Sequence, residues 1–148
     1  MERIASTHPK LKERLRAIDA LGTAGAVEEL LRIAESPGEG LLRTRAIAAL
    51  DGRASGNEAR LLVLLRTAAD PEVVRAAIRA MAGSESVSPA LEETLRNHPR
   101  PGIRAEAAMA LLRSDRSRGP VILRRALEAE NDPHVRRVID GLLSKDHP

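Results

Sequence analysis

The sequence contains no phenylalanine, tyrosine or tryptophan among its 148 residues. No aromatic side chain is therefore present to stack on a nucleobase or a flat cofactor. A protein interface would also lack tryptophan and tyrosine, which often dominate binding energy, and would depend on arginine and aliphatic residues. The core has to be built from leucine, alanine, valine, isoleucine and methionine through many small contacts.

Cysteine is absent as well, which excludes disulfide bonds, thiolate metal ligands and a cysteine nucleophile. The longest uninterrupted aliphatic stretch, Leu61 to Leu65, is too short to cross a bilayer. The segment from Met1 to Lys10 has no apolar core of the kind found in signal peptides. We therefore expect a cytoplasmic protein with no membrane partner.

Lysine is scarce and occurs only at Lys10, Lys12 and Lys145, so arginine supplies most of the positive charge. The formal net charge is only +3, although the pI is about 10.1. The difference arises because arginine keeps its proton far above neutral pH. The pI thus overstates how basic the chain is at pH 7, and it does not by itself indicate binding to nucleic acid.

A five-residue unit, Ala-Ile-x-Ala-Leu, returns about every 30 residues, a period typical of solenoids built from one repeated unit. Between its copies lie second apolar patterns with helical spacing, such as Leu61, Leu64 and Leu65. We call the helix that carries the unit a B helix and the intervening helix an A helix. The copies begin at Ala17, Ala46, Ala77, Ala107 and Val138.

Predicted capping residues between these apolar patterns divide the chain into nine helices. Asp70, Ser88 and Asp132 each precede a proline and are predicted N-caps, whereas Gly22, Gly52 and Gly83 directly follow the unit and are predicted C-caps. Because one A–B pair cannot bury its own apolar face, stacked pairs would share a continuous core. The predicted helices span residues 9–21, 24–35, 40–51, 57–69, 71–82, 89–97, 101–113, 119–130 and 133–144.

The B-helix segments resemble the HEAT-repeat family in its short bacterial form, whose pattern is Asp-Pro-x-Val-Arg-x-x-Ala-x-x-Ala-Leu-Gly. The closest copies are Asp70 to Gly83 and Asp132 to Leu143, with looser copies at residues 101–111 and 42–50. The resemblance implies an all-α fold, a right-handed α-α superhelix of about four helical pairs preceded by one N-terminal helix. Residues 1–148 would form a single HEAT-like domain that binds macromolecules rather than catalysing a reaction.

An arginine follows an aliphatic residue near the start of four B helices, at Arg43, Arg75, Arg104 and Arg136. In HEAT-like proteins the equivalent arginine often bonds an aspartate near the preceding turn. The resemblance therefore implies a pair between Arg75 and Asp70 and a pair between Arg136 and Asp132. Arg75 and Arg136 are also candidates for contact with a partner.

A second set of arginines points away from the apolar face of the B helices, at Arg16, Arg45, Arg79 and Arg137. All five B-helix segments carry net positive charge, and the rest of the chain is net negative. The resemblance places the B helices on the concave side of the stack, where such a stripe would attract carboxylates or phosphates. The alternative is a solvated polar face. With Arg75 and Arg136, these four residues complete the predicted partner-binding set.

The sequence shows no residue spacing that is typical of a catalytic or metal-binding site. The paired glutamates, such as Glu28 and Glu29, are adjacent on a helix and diverge by about 100°, so they cannot flank one substrate. The histidines lie in different repeats and lack metal-ligand spacing. We expect no catalytic residue, no metal and no cofactor. The four histidines are His8, His98, His134 and His147.

We therefore predict a non-catalytic scaffold that holds a protein partner through an acidic surface or segment. One alternative is binding of a nucleic-acid backbone by the same arginines, which is less favoured because aromatics are missing. Another is a lyase-like chaperone of a tetrapyrrole protein, since short HEAT-like repeats also occur there.

The first helix presents Leu11, Leu15, Ile18 and Leu21 on one face. Residues 1–7, a second copy or a longer parent chain would have to cover it, which predicts self-association through this end.

Overall fold

The computed structural model describes residues 10–145. Over that range the chain is all-helical, with one 3₁₀ turn at Glu85–Val87 and no strand. The all-α prediction is confirmed, and most helix ends lie within three residues of the predicted ones. The helices are α1 Leu11–Thr23, α2 Val27–Glu35, α3 Gly40–Ala48, α4 Glu58–Thr67, α5 Pro71–Met81, α6 Ser88–Asn97, α7 Pro101–Ser114, α8 Gly119–Ala129 and α9 Pro133–Lys145.

Two of the predicted aspartate caps are confirmed. Asp70 Oδ1 accepts the backbone N–H of Glu72 at 2.9 Å at the start of α5. Asp132 Oδ1 accepts the N–H groups of His134 and Val135 at 2.9 and 3.1 Å at the start of α9. Both aspartates thus satisfy N–H groups that have no partner within their helix.

Three predicted caps are wrong. Gly52 lies three residues beyond Ala49, the residue that caps α3. Gly22 lies inside α1 rather than after it, and a Cβ built there would be 3.1 Å from Ala49 Cβ. Gly22 therefore allows Ala49 to approach α1 closely, and it does not form a left-handed turn. Ser88 is the first residue of α6 and is buried, and its hydroxyl has no hydrogen-bond partner among the described residues. The 3₁₀ turn in front of α6 takes the place of a serine cap.

Contacts between Cα atoms group the chain into two compact units, one ending at Ala80 and the other beginning at Met81. In the first unit α3 packs against both α1 and α2. In the second, α7 packs against α6 and α9, and α8 packs against α7 and α9. That residues 1–148 form one domain stays a prediction. The fully buried core side chains include Ile18, Leu30, Ile47 and Leu61 in the first unit and Leu91, Leu111, Leu123 and Ile139 in the second.

The apolar face of α1 is largely covered. Ile18 and Leu21 are buried and Leu15 is half-buried, whereas Leu11 remains 39% exposed. The predicted cover by residues 1–7 lies outside the described residues. The exposed apolar area of α1 is therefore reduced to its first turn.

Candidate functional site

Arginines at the start of the B helices bind the carboxyl ends of the preceding A helices. Arg43 Nε donates to Ala34 O at 2.8 Å, in the last turn of α2. Arg104 donates to His98 O at 2.8 Å, just after α6. These carbonyls have no partner within their own helix, and they lie at the negative end of the helix dipole. Arg43 therefore joins α2 to α3, and Arg104 joins α6 to α7.

Arg136 shows the same arrangement, and its predicted bond to Asp132 is wrong. One terminal nitrogen of Arg136 donates to Leu127 O and Glu130 O, both at 2.8 Å. Asp132 is engaged instead in capping α9. One nitrogen of Arg136 is already occupied, and its contact with a partner stays a prediction.

Arg75 also departs from the predicted pairing. Its guanidinium lies 3.8 Å from Glu72 in the same helix, while Asp70 caps α5. The Arg75 Nε is buried without a hydrogen-bond partner among the described residues. The predicted bond from Arg75 to Asp70 is thus wrong, and the role of Arg75 in partner binding stays a prediction.

Two repeat positions of the B helices lie off their most apolar face, although Ala76 and Glu106 at these positions are buried. The lead position immediately precedes the Ala-Ile-x-Ala-Leu unit, and the variable position is the third residue of the unit. Arg79 occupies a variable position and is exposed. The lead residues are Arg16, Arg45, Ala76, Glu106 and Arg137, and the variable residues are Asp19, Ala48, Arg79, Met109 and Asp140.

Between α1 and α3 these two positions form an ion pair. Arg45, a lead residue, donates to both carboxylate oxygens of Asp19, a variable residue, at 2.8 and 2.9 Å. The bond from Arg45 lowers the pKa of Asp19, and the carboxylate in turn raises the pKa of Arg45. The charge predicted for partner binding at Arg45 is thus neutralised within the chain, although nearly half of each side chain is exposed.

Between α3 and α5 the equivalent residues are both alanine. Ala48 and Ala76 line one cavity of about 200 Å³. We call this cavity the α3–α5 slot. Its base includes Ile47, which is 1% exposed. The other lining residues are Thr44, Asp51, Gly52, Arg79 and Ala80.

In the second unit the corresponding repeat positions are the variable residue Met109 on α7 and the lead residue Arg137 on α9. Helices α7 and α9 pack together. Met109 is 37% exposed and Arg137 is exposed. Arg137 forms no hydrogen bond or ion pair with any other described residue, and the variable residue one repeat earlier is Met109 rather than a carboxylate. Arg16 on α1 is likewise exposed and unpaired within residues 10–145.

Ion pairs join the A helices α2 and α4. Arg60 on α4 donates to Glu28 at 2.6 Å and to Glu35 on α2 with two nitrogens. These carboxylates raise the pKa of Arg60, and Arg60 lowers the pKa of Glu28. The sequence alone did not reveal that Arg60 joins two helices, because its partners lie 25 to 32 residues away in the chain, about one repeat period.

A second pair joins α7 to the turn after α8. Arg104 binds both oxygens of Glu130 at 2.8 and 3.0 Å, and the two side chains are only 16% and 8% exposed. The bond lowers the pKa of Glu130 and raises that of Arg104. The pair lines a pocket of about 530 Å³ together with Leu95, Arg96, Arg125, Ala126, Ala129 and Asn131.

The described histidines act locally. His98 Nδ1 accepts the N–H of Arg100 at 3.1 Å, and burial lowers the pKa of His98. His134 is exposed, and His8 and His147 lie outside the described residues. Within residues 10–145 no cluster of three potential metal ligands occurs.

None of the helices described within residues 10–145 combines the length and apolar character that a membrane span requires.

A family model described as HEAT repeats matches residues 58–142, more than half of the chain. The chain belongs to the HEAT-repeat family. No curated protein and no solved structure matched it in the corresponding searches. The matched range of this HEAT-repeat protein includes Arg104 and Arg136, which bind A-helix carbonyls, and the lead residue Arg137. HEAT repeats generally serve as non-catalytic scaffolds for protein interaction.

Proposed function

We propose that this HEAT-repeat protein is a non-catalytic scaffold whose B-helix face binds an acidic segment of a partner protein. The observation that carries the proposal is the contrast between Arg45 and Arg137. At the same repeat position, Arg45 has an internal carboxylate, whereas Arg137 is exposed and has no hydrogen bond or ion pair with any other described residue. A carboxylate from a partner would complete at Arg137 the bidentate bond that Asp19 provides to Arg45.

Arginine suits this role because its planar guanidinium binds carboxylates through two parallel hydrogen bonds. Exposed positive charge also accelerates encounter with an acidic partner. Met109, which is exposed on the adjacent helix α7, adds an adaptable apolar surface in the same unit. The proposal thus places the main contact at Arg137 in the second unit rather than at Arg45.

The direct test is fluorescence anisotropy with a fluorescein-labelled glutamate-rich peptide that carries one leucine. The label is needed because the protein has no aromatic side chain. We expect Arg137→Glu to weaken binding about tenfold or more, since it replaces attraction by like-charge repulsion. Arg116→Glu is the matched control, because Arg116 is exposed in the turn after α7 and undergoes the same charge change.

Equal losses in the two variants would show that only net charge matters and would contradict the proposal. A labelled DNA duplex measured in parallel separates the nucleic-acid alternative. Binding of the duplex that falls steeply with salt, with no binding of the peptide, would favour phosphate recognition instead.

We also propose weak self-association through the first turn of α1, where Leu11 is 39% exposed. Leu11→Ser should lower the average mass measured by light scattering at high protein concentration. An identical, strictly monomeric mass for the original chain and the variant would rule it out.

A further inference from the structure

We propose that the pocket beside the Arg104–Glu130 pair binds a small carboxylic acid with an aliphatic chain. We call it the α6–α8 pocket, because its lining comes from the carboxyl-terminal halves of these two A helices, the first turn of α7 and the turn after α8. All of its lining residues belong to the second compact unit, and none belongs to the predicted partner-binding set. The pocket is thus separate from the proposed partner-binding residues, and either proposal can fail without the other.

The size and the apolar lining of the pocket suit a small molecule. Its volume of about 530 Å³ lies within the range of roughly 300–1,000 Å³ that is common for small-molecule sites. Such sites combine apolar walls with a few polar groups that orient the ligand. Here Leu95, Ala126 and Ala129 contribute aliphatic carbon, and Leu95 is buried. These side chains offer a surface on which a hydrocarbon chain is removed from water.

One guanidinium in the lining has no carboxylate of its own. Arg125 on α8 is exposed and forms no hydrogen bond or ion pair with another described residue. A carboxylate bound to Arg125 would gain two charge-assisted hydrogen bonds. Asn131 adds an exposed side-chain amide to the same lining, and its NH₂ group is a further donor for the ligand.

The other charges of the lining are paired, which limits the ligand to one negative charge. Glu130 binds Arg104 through both of its oxygens, so its charge is offset within the chain. Arg96 donates to Glu92 at 2.5 Å. Among the described residues of the lining, Arg125 therefore supplies the positive charge that is left over. A carboxylate carries one negative charge at neutral pH and matches it, whereas a phosphate monoester carries about −1.5 to −2.

The first test is isothermal titration calorimetry with octanoate, a probe that joins one carboxylate to an unbranched apolar chain. We expect octanoate to bind more tightly, by about tenfold or more, than acetate, which lacks the chain, and octanol, which lacks the charge. Octyl phosphate should bind no more tightly than octanoate. Equal binding of octanoate and octanol would overturn the ionic contact. Tighter binding of octyl phosphate would overturn the match to a single charge.

Substitution of Arg125 tests where octanoate binds. Arg125→Gln should weaken the binding of octanoate about tenfold, because it removes the charge while keeping a polar side chain. Arg116→Gln is the matched control, since Arg116 is exposed and lies outside the lining. Equal affinities of the two variants would refute the contact with Arg125. In the original chain labelled with ¹³C-alanine, the methyl resonances of Ala126 and Ala129 should shift when octanoate is added. No shift at millimolar octanoate would refute the pocket as the site.

Discussion

Replacing Glu130 by glutamine should destabilise the fold through Arg104. The amide retains one acceptor oxygen, but its NH₂ group would face a guanidinium N–H that now binds the second carboxylate oxygen at 2.8 or 3.0 Å. The variant thus loses one charge-assisted bond and leaves a largely buried guanidinium without its counter-charge. Breaking a fully buried pair costs roughly 3–5 kcal/mol. Here the adjacent pocket admits solvent, so we expect a loss of about 2 kcal/mol.

The assay is urea unfolding followed by far-UV circular dichroism, since the chain has no intrinsic fluorophore. Asp19→Asn is the control, because it removes a pair with the same geometry whose side chains are 49% and 48% exposed. Its effect should be much smaller, since water replaces an exposed partner at little cost. A loss for Glu130→Gln no greater than that of Asp19→Asn would refute this reasoning.

The same pair predicts how stability depends on pH. Arg104 lowers the pKa of Glu130 from its ordinary value of 4.5. A carboxyl group whose pKa is depressed by folding stabilises the folded state above its unfolded pKa. That contribution is lost as the pH falls through the folded pKa. The stability difference between the original chain and Glu130→Gln should therefore be full at neutral pH and shrink below about pH 4.5. A stability difference that stays constant from neutral to acidic pH would contradict the proposed contribution of the Arg104–Glu130 pair.

Three further substitutions test the packing, each by urea unfolding. Gly22→Ala should destabilise by about 1–3 kcal/mol, because the new methyl would press on Ala49, and a neutral effect would refute the close approach. Gly141→Ala, where nothing lies within 4 Å of the added Cβ, should stabilise α9 by about 0.5–1 kcal/mol, so destabilisation would contradict the open site. Ser88→Ala should be neutral or stabilising because the hydroxyl is buried without a described partner; a loss of about 1 kcal/mol would instead restore the N-cap interpretation.

The helices could be predicted from the sequence because their determinants are local. Apolar spacing and the Asp70-Pro71 and Asp132-Pro133 pairs define helix position without knowledge of tertiary contacts. Ser88 misled the prediction because a serine before proline also fits the first turn of a helix. Gly22 misled it because a glycine at a helix end serves equally for a turn and for close packing.

The candidate site was only partly predictable, since its character depends on neighbours one repeat apart. The spacing correctly placed Arg45 and Arg137 at outward positions. It did not show that Asp19 neutralises Arg45. Aligning lead and variable positions of successive units could have revealed this pairing and the gap at Ala48 and Ala76. The carbonyl contacts of Arg43 and Arg136 left no sequence signal, because every residue carries a carbonyl.

The most direct test of the B-helix face is a charge exchange across the interface. Arg137→Glu should lose the labelled glutamate-rich peptide and regain affinity when single glutamates of the peptide are replaced in turn by arginine. The restored pairing would place one peptide position against residue 137. If no arginine-bearing peptide recovers binding to Arg137→Glu, while the original protein and Arg116→Glu bind the parent peptide equally, the loss does not arise from a direct contact and the proposed site is wrong.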